Sequence, residues 1–434
     1  MTPHPVIIGG GIAGVVAALA LHKAGFDPVV YEARPETEGV DDTGAFLLVF
    51  ANGLAALRAV DAHRPVWDAS FPAETVTFVS PTGKRLGTRP LAGSAPTPAP
   101  PASTRTPDPA PDPDPGAGAR RHVGADDDAL GPRTLKRATL CRVLRAEAAR
   151  RGIRIEYGKR FVAAHTGPDG SAVASFADGG RARGDLLIGA DGIHSAMRKT
   201  IDAAAPRPRY TGQNTVCGYR RATDPALPAD LIDGYTMIYG KRAFFGCTRA
   251  PDGELWWFAN APGAELTREE LATATPRQWQ DRVVELFAGD DTPVADLVRT
   301  TDGPVVGSNA YDLATTPTWS RDAMVIIGDA AHAAAPHAAQ GASMAIEDGV
   351  QLARCLRDLP NRRRALAAYE RLRRERVERA VATSAAMARQ VASGPVQRVL
   401  RDALSPRRVE RGGSGADDWL TGHRIDWDAP VTAF

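Results

Sequence analysis

The residues best suited to chemistry lie near the start of the chain, in "VIIGGGIAGVVAALALHKAGFDPVVYEARPE", Val6 to Glu36. A short apolar run ends in Gly9-x-Gly11-x-x-Gly14, a helix-like apolar run follows, and a second short run ends in Glu32. Gly9 allows a tight turn out of a strand, Gly11 lets the backbone approach a pyrophosphate, and Gly14 lets the helix sit close to the sheet. The amides opening that helix, from Ile12, Ala13 and Gly14, face the phosphates, and the helix dipole favours their charge. Glu32 stands where a carboxylate hydrogen-bonds ribose hydroxyls and repels a 2′-phosphate, so FAD or NAD is expected rather than NADP at this site. Two later stretches place an acid beside a glycine after an apolar run: "LLIGADGIHSAMRK" with Asp191, and "VIIGDAAHAAAPHAAQGASMAIED" with Gly328 and Asp329. Alone, either pair reads as a turn; following the first motif in this order, they are far more specific. His332 and His337 read either as acid–base groups or as structural donors. No catalytic triad or covalent nucleophile is visible, so no catalytic residue is assigned, and no metal site is expected.

The elements that must position these groups follow from the pattern. Val6–Glu36 reads as strand, glycine turn, helix and strand. Residues 43–57 read as a loop and strand feeding a helix, and 74–87 as a hairpin turning at Pro81–Gly83. Leu140, Leu144 and Ala148 recur every four residues, a helix stopped by Gly152. Residues 210–261 are β-rich and aromatic, which predicts an antiparallel sheet forming one wall. In it Tyr219, Tyr239, Phe245 and Trp257 either line an aromatic slot or serve packing. The helix after Gly341 is apolar on two faces and is expected to be buried. The helix from about 363 to 391 carries Glu370–Arg374 and Glu375–Arg379 pairs, read as a solvated face.

The expected architecture is α/β: a Rossmann-like cofactor-binding domain (1–68, 130–203 and 302–357) interleaved with an antiparallel-sheet substrate domain (69–93 and 204–301). C-terminal helices (358–405) and a tail (406–434) complete the scheme. Residues 94–129 begin with Pro, Ala and Asp and little else; such a segment cannot bury enough apolar surface to order itself and is expected to be a flexible insert. The chain has 434 residues, 43% hydrophobic and 24% charged, with net charge +2. That balance gives no reason to expect nucleic acid or an anionic membrane as partner. Four unpaired-looking cysteines, with no signal peptide and no apolar span of about 20 residues, lead to a cytoplasmic expectation.

With the three motifs in this order, the sequence resembles the class A flavoprotein monooxygenases, the para-hydroxybenzoate hydroxylase-like family, from Val6 to about Ala380. The resemblance implies FAD as cofactor and NAD(P)H and O2 as co-substrates, in a monomer or homodimer. Glu32 and Arg34 would hold the adenosine ribose side, and Arg137 of "KRATL" would contact FAD. Asp191 would serve the middle motif shared between FAD and NAD(P)H, and Asp329 the ribityl or pyrophosphate side. Pro336, Gln340, Gly341 and Ala342 would form the loop and helix start beside the isoalloxazine ring, with His337 near the substrate. The implied reaction is hydroxylation of an aromatic, phenolic or polyketide-type molecule through a flavin C4a-hydroperoxide. A catalytically silent FAD-binding protein, or a flavin oxidase or epoxidase, stays open as the alternative.

Overall fold

The computed structural model describes residues 3–36, 44–91, 130–221, 234–391 and 418–432. The insert at 94–129 lies outside the described residues. Short apolar runs become strands of a six-stranded sheet ordered Ser320–Arg321, Met324–Ile326, Leu186–Gly189, Pro5–Ile8, Val29–Tyr31 and Arg154–Glu156. All pairings are parallel except that of Ser320–Arg321. The four central strands, Pro5–Ile8, Val29–Tyr31, Leu186–Gly189 and Met324–Ile326, are buried at every position and show no polar alternation. The Ile12–Lys23 helix is buried at every position from Ile12 to Leu21. Its other side is covered by the Gly341–Asp358 helix, so close that a Cβ on Gly349 would stand 2.7 Å from Ala17 N.

The second sheet has seven strands, in the order Val305–Asp312, Arg209–Arg220, Leu255–Pro262, Phe244–Arg249, Tyr235–Tyr239, Thr75–Val79 and Arg85–Pro90. Only Tyr235–Tyr239 with Thr75–Val79 is parallel. The Pro276–Phe287 and Val294–Arg299 helices cover one face through Trp279, Val283, Phe287, Leu297 and Val298. A small sheet joins Phe46–Val49 and Phe71–Pro72 to Arg133–Lys136. The α/β arrangement, with a Rossmann-like half, an antiparallel half and C-terminal helices, matches the expectation.

Three expectations need correction. Val305–Asp312, assigned to the cofactor side by the 302 boundary, pairs with Arg209–Arg220 and belongs to the antiparallel sheet. Part of the expected tail, 418–432, is docked: Leu420, Ile425 and Trp427 are buried in the main core. Trp427 anchors that segment under the cations of Arg357 and Lys23, 4.7 and 5.4 Å from its ring. Finally, the Arg362–Val391 helix is not simply a solvated face. Glu370 does pair with Arg374 at 2.6 Å, but Arg373 is 1% exposed and bound to two buried carboxylates. Ala365, Tyr369, Arg373, Val377, Ala380 and Ser384 form its buried stripe, whose helical spacing is legible once Arg is allowed inside.

Candidate functional site

Register builds the site. Ile8 stands opposite both Tyr31 and Gly189, and Gly189 opposite Ile326. The four parallel strands therefore deliver Gly9, Glu32, Asp191 and Gly328–Asp329 to one carboxyl edge, where open α/β sheets bind ligands.

The glycines divide by role. Gly9 has φ +106°, and a Cβ there would stand 2.3 Å from Ala190 O. A Cβ on Gly14 would stand 1.9 Å from Gly9 O, so Gly14 sets helix-to-strand contact. Around Gly11 nothing lies within 4 Å of the missing Cβ, and the Ile12–Lys23 helix has no side-chain cap. Gly328, at φ +57°, would place a Cβ 2.8 Å from Ala13 Cβ, so the third motif rests on the start of the first helix.

Glu32 Oε2 accepts from Gly10 N (2.7 Å) and Oε1 from Arg34 N (2.9 Å). The carboxylate braces the glycine turn while the Arg34 side chain is exposed. Arg145 holds the same turn, donating to Gly10 O from Nε (3.0 Å) and Nη2 (2.9 Å). Sequence reasoning missed Arg145; its only signal was its place beside Leu144 on the Arg137–Arg150 helix. Arg137, the first residue of that helix, is exposed.

Asp191 is committed within its own loop. It accepts from Ser195 Oγ (2.6 Å), Ala196 N (2.8 Å) and Met197 N (3.0 Å), capping the Ala196–Ile201 helix. That helix carries Arg198, 1% exposed, which donates to Ile193 O (2.7 Å) and Ala330 O (2.9 Å). The middle motif thus acts on the third through Arg198, a second residue the sequence did not single out. The third turn is also gripped by Thr316 Oγ1 at Ala331 O (2.6 Å) and by Asp348 Oδ2 at Gly328 N (2.8 Å).

Asp329 itself is exposed, yet desolvation by surrounding protein raises its pKa; His332 and Arg137 pull it down and Asp348 pushes it up. An accessible carboxylate walled by protein lines a cleft rather than an open surface. Across that edge, Pro336–Ala338 forms a short turn and Gly341–Asp358 begins without a side-chain cap. Gly341 has nothing within 4 Å of its missing Cβ, and Ala342 is half-buried beside it. Gln340 is 1% exposed; its Oε1 accepts from Asn52 (3.3 Å), and its Nε2 has no partner among the described residues. Two uncapped helix starts at open glycines and an orphaned amide donor fit a dinucleotide with an anionic middle and a carbonyl-bearing ring. Ile12, Ala13, Asp329, Gln340 and Gly341 would hold FAD there.

The aromatic expectation divides by strand alternation. Tyr219 and Tyr239 lie on the sheet face turned toward Pro336–Ala338, with Phe78, Phe244, Trp256 and Phe258. Their rings form a continuous series: Phe78–Tyr239 5.9 Å, Tyr239–Phe244 5.3 Å, Phe244–Phe258 6.0 Å, and Phe46–Phe258 5.9 Å from the other half. Phe245 and Trp257 are corrected: both are fully buried on the opposite face, stacked at 5.9 Å among the residues covering Phe287. Trp257 Nε1 is spent on Thr301 (3.0 Å).

The two histidines also divide. His332 is 4% exposed, with Nε2 2.6 Å from Asp348, a structural contact. His337 bridges the halves, its Nε2 3.3 Å from Asn260 Nδ2, while Thr215 Oγ1 donates to Asn260 Oδ1 (3.0 Å). With the amide so fixed, the imidazole proton sits on Nδ1. That nitrogen is buried and has no partner among the described residues. Burial lowers the His337 pKa to about 4.

A model of the FAD binding domain matches residues 127–384, more than half of the chain, and one of the NAD(P)-binding Rossmann-like domain matches 7–69. The chain is 27% identical over 385 residues to the aurachin C monooxygenase/isomerase of Stigmatella aurantiaca, covering 87% of each. It is 29% identical over 385 residues to a FAD-dependent urate hydroxylase of Klebsiella pneumoniae, covering 86% of each. The crystal structure of Klebsiella pneumoniae HpxO complexed with FAD and uric acid superposes with a TM-score of 0.75 at 24% identity, covering 94% of this chain and 93% of that one. That last likeness is one of fold.

Proposed function

The chain belongs to the FAD-binding-domain family of class A flavoprotein monooxygenases, and from that premise we propose that it uses NAD(P)H and O2 to hydroxylate an aromatic, phenolic or polyketide-type molecule. One observation carries the substrate class: the ring series from Phe78 to Phe258 lies on one sheet face, opposite the Pro336–Ala338 turn, and Phe46 of the other half continues it. Half-exposed Phe46, Phe78, Tyr239 and Phe258 offer faces and edges for a flat ring system. The names of the relatives, a urate hydroxylase and an aurachin C monooxygenase/isomerase, support oxygenation as the reaction type.

When bound, FAD supplies the two-electron exchange with NAD(P)H and the activation of O2. The chain's own contribution is position, dryness and hydrogen bonds. The Gly341–Asp358 helix start would favour negative charge on a flavin ring held there. Gln340 Nε2 offers a donor to a ring carbonyl. His337 Nδ1–H offers a donor to a substrate oxygen from a neutral imidazole.

The purified protein should be yellow and release flavin on denaturation; aromatic candidates should accelerate NAD(P)H oxidation with O2 uptake and yield a product one oxygen atom heavier. Colourless protein that cannot be reconstituted with FAD overturns the cofactor reading, and oxidation that no aromatic accelerates overturns the hydroxylase. Because the His337 pKa is depressed to about 4, its neutral form holds through neutral pH and is lost only as pH falls toward 4. KM for an uncharged substrate should therefore be flat from about pH 6 to 8, the imidazole staying neutral above its pKa. His337→Phe should raise KM several-fold at every pH in that range. An inflection near the ordinary histidine pKa that His337→Phe removes would contradict this assignment.

A further inference from the structure

A buried ion network lies one layer behind the cofactor cleft and continues to the far side of the Gly341–Asp358 helix. Asp348, fully buried, accepts from Gly328 N (2.8 Å), His332 Nε2 (2.6 Å) and Arg373 Nε (2.7 Å). Glu347, fully buried beside it, accepts from Asn52 Nδ2 (2.7 Å), from Arg373 Nη1, and from Arg376 Nε and Nη2 (2.8 Å each). The Asn52 amide is shared, since it also reaches Gln340 Oε1 at 3.3 Å. Arg376 then donates to the carbonyls of Trp419 and Leu420 (2.7 Å for Leu420), in the docked 418–432 segment. The segment is held farther along as well. Arg354 Nη2 donates to Ala429 O (2.6 Å), and Val431 N donates to Asp358 Oδ2 (2.7 Å).

We propose that Arg376, together with the 418–432 segment it clasps, is a positioning element of the flavin loop, acting through Glu347 and Asn52 on Gln340. This rests on the flavin reading given above. Two carboxylates and two guanidinium groups cancel in charge, and in a buried cluster each member depends on the others remaining. Without Arg376, Glu347 has only a share of Arg373, which also serves Asp348, and draws the Asn52 amide to itself. Gln340 Oε1 then loses its donor, and the side chain bearing the orphaned Nε2 is free to turn away from the ring.

The test is FAD titration of full-length apo-protein by flavin fluorescence, with the unfolding temperature of each apo-protein measured alongside. Arg376→Met should weaken FAD binding at least tenfold at a temperature where the apo-protein is folded. Arg376→Lys, which keeps the charge but loses the two-pronged contact, should fall between. In a Gln340→Ala background, Arg376→Met should weaken binding less than twofold further. A lower unfolding temperature with unchanged FAD affinity means a purely structural role and overturns the proposal. Full additivity with Gln340→Ala overturns the route through that side chain. Should Arg376→Met not fold, the Arg376→Lys comparison decides in the same terms. Wild-type protein that binds no FAD defeats the flavin reading itself, a separate outcome.

Discussion

Arg373→Met is expected to destabilise the protein by about 3–5 kcal/mol, the scale for removing one partner of a buried ion cluster. Arg373 is 1% exposed and, among the described residues, alone in bridging both carboxylates, Nε on Asp348 and Nη1 on Glu347, with Nη2 3.2 Å from Met344 O. Burial works to raise the pKa of Asp348, but His332 and Arg373 outweigh it and hold it at about 2. In the wild type, that depressed value contributes stability which is present above the ordinary carboxylate pKa and is lost as pH falls through about 2. Without Arg373 less opposes desolvation: Asp348 keeps His332 and Glu347 keeps Arg376, so both carboxyls bind protons more readily than in the wild type and the loss of stability is larger at pH 8 than at pH 5. Urea melts at pH 5 and pH 8 check both parts. A loss below about 1 kcal/mol, within the ordinary range for surface changes, together with no pH dependence, would show that the cluster is not mutually dependent.

The second large effect separates binding from folding at two glycines of one motif. Gly11→Ala places a methyl in open space at an uncapped helix start, so the apo-protein should melt within about 2 °C of wild type while flavin content falls by at least tenfold. Gly14→Ala places a methyl 1.9 Å from Gly9 O. The helix must move off the strand, and the apo-protein itself should lose several degrees. Apo-protein melting and flavin content after reconstitution report the two quantities independently. If Gly11→Ala retained full flavin content, the phosphate would not approach the backbone there.

The parts of the site that sequence reveals are those fixed by backbone chemistry. Gly9, Gly14 and Gly328 are required by close approach or positive φ, and Glu32, Asp191 and Asp329 stand within three residues of the ends of their strands, so type and spacing place them. Strand alternation put Trp256 and Trp257 on opposite faces, but which face meets the cofactor depends on what covers the sheet, and so Phe245 and Trp257 fell on the wrong side. Arg145, Arg198, Arg373 and Arg376 were illegible for another reason. A long cationic side chain looks the same in sequence whether it ends in water or on a carbonyl, and only the tertiary arrangement supplies its partner. The docked 418–432 segment was missed because its anchors, Leu420, Ile425 and Trp427, are too few and too irregularly spaced to show a period.

The Ile12–Lys23 helix, buried from Ile12 to Leu21, has a consequence for how the protein is made. Its stretch from Ile12 to Leu21 is apolar on all sides, and its cover, the Gly341–Asp358 helix, begins about 320 residues later in the chain. At the usual 5–20 residues per second, that leaves the helix without its cover for roughly 15–65 s. The nascent chain must be shielded over that interval. Expression at lower temperature or with added chaperone capacity should raise the soluble yield more than any change to the surface of the finished molecule.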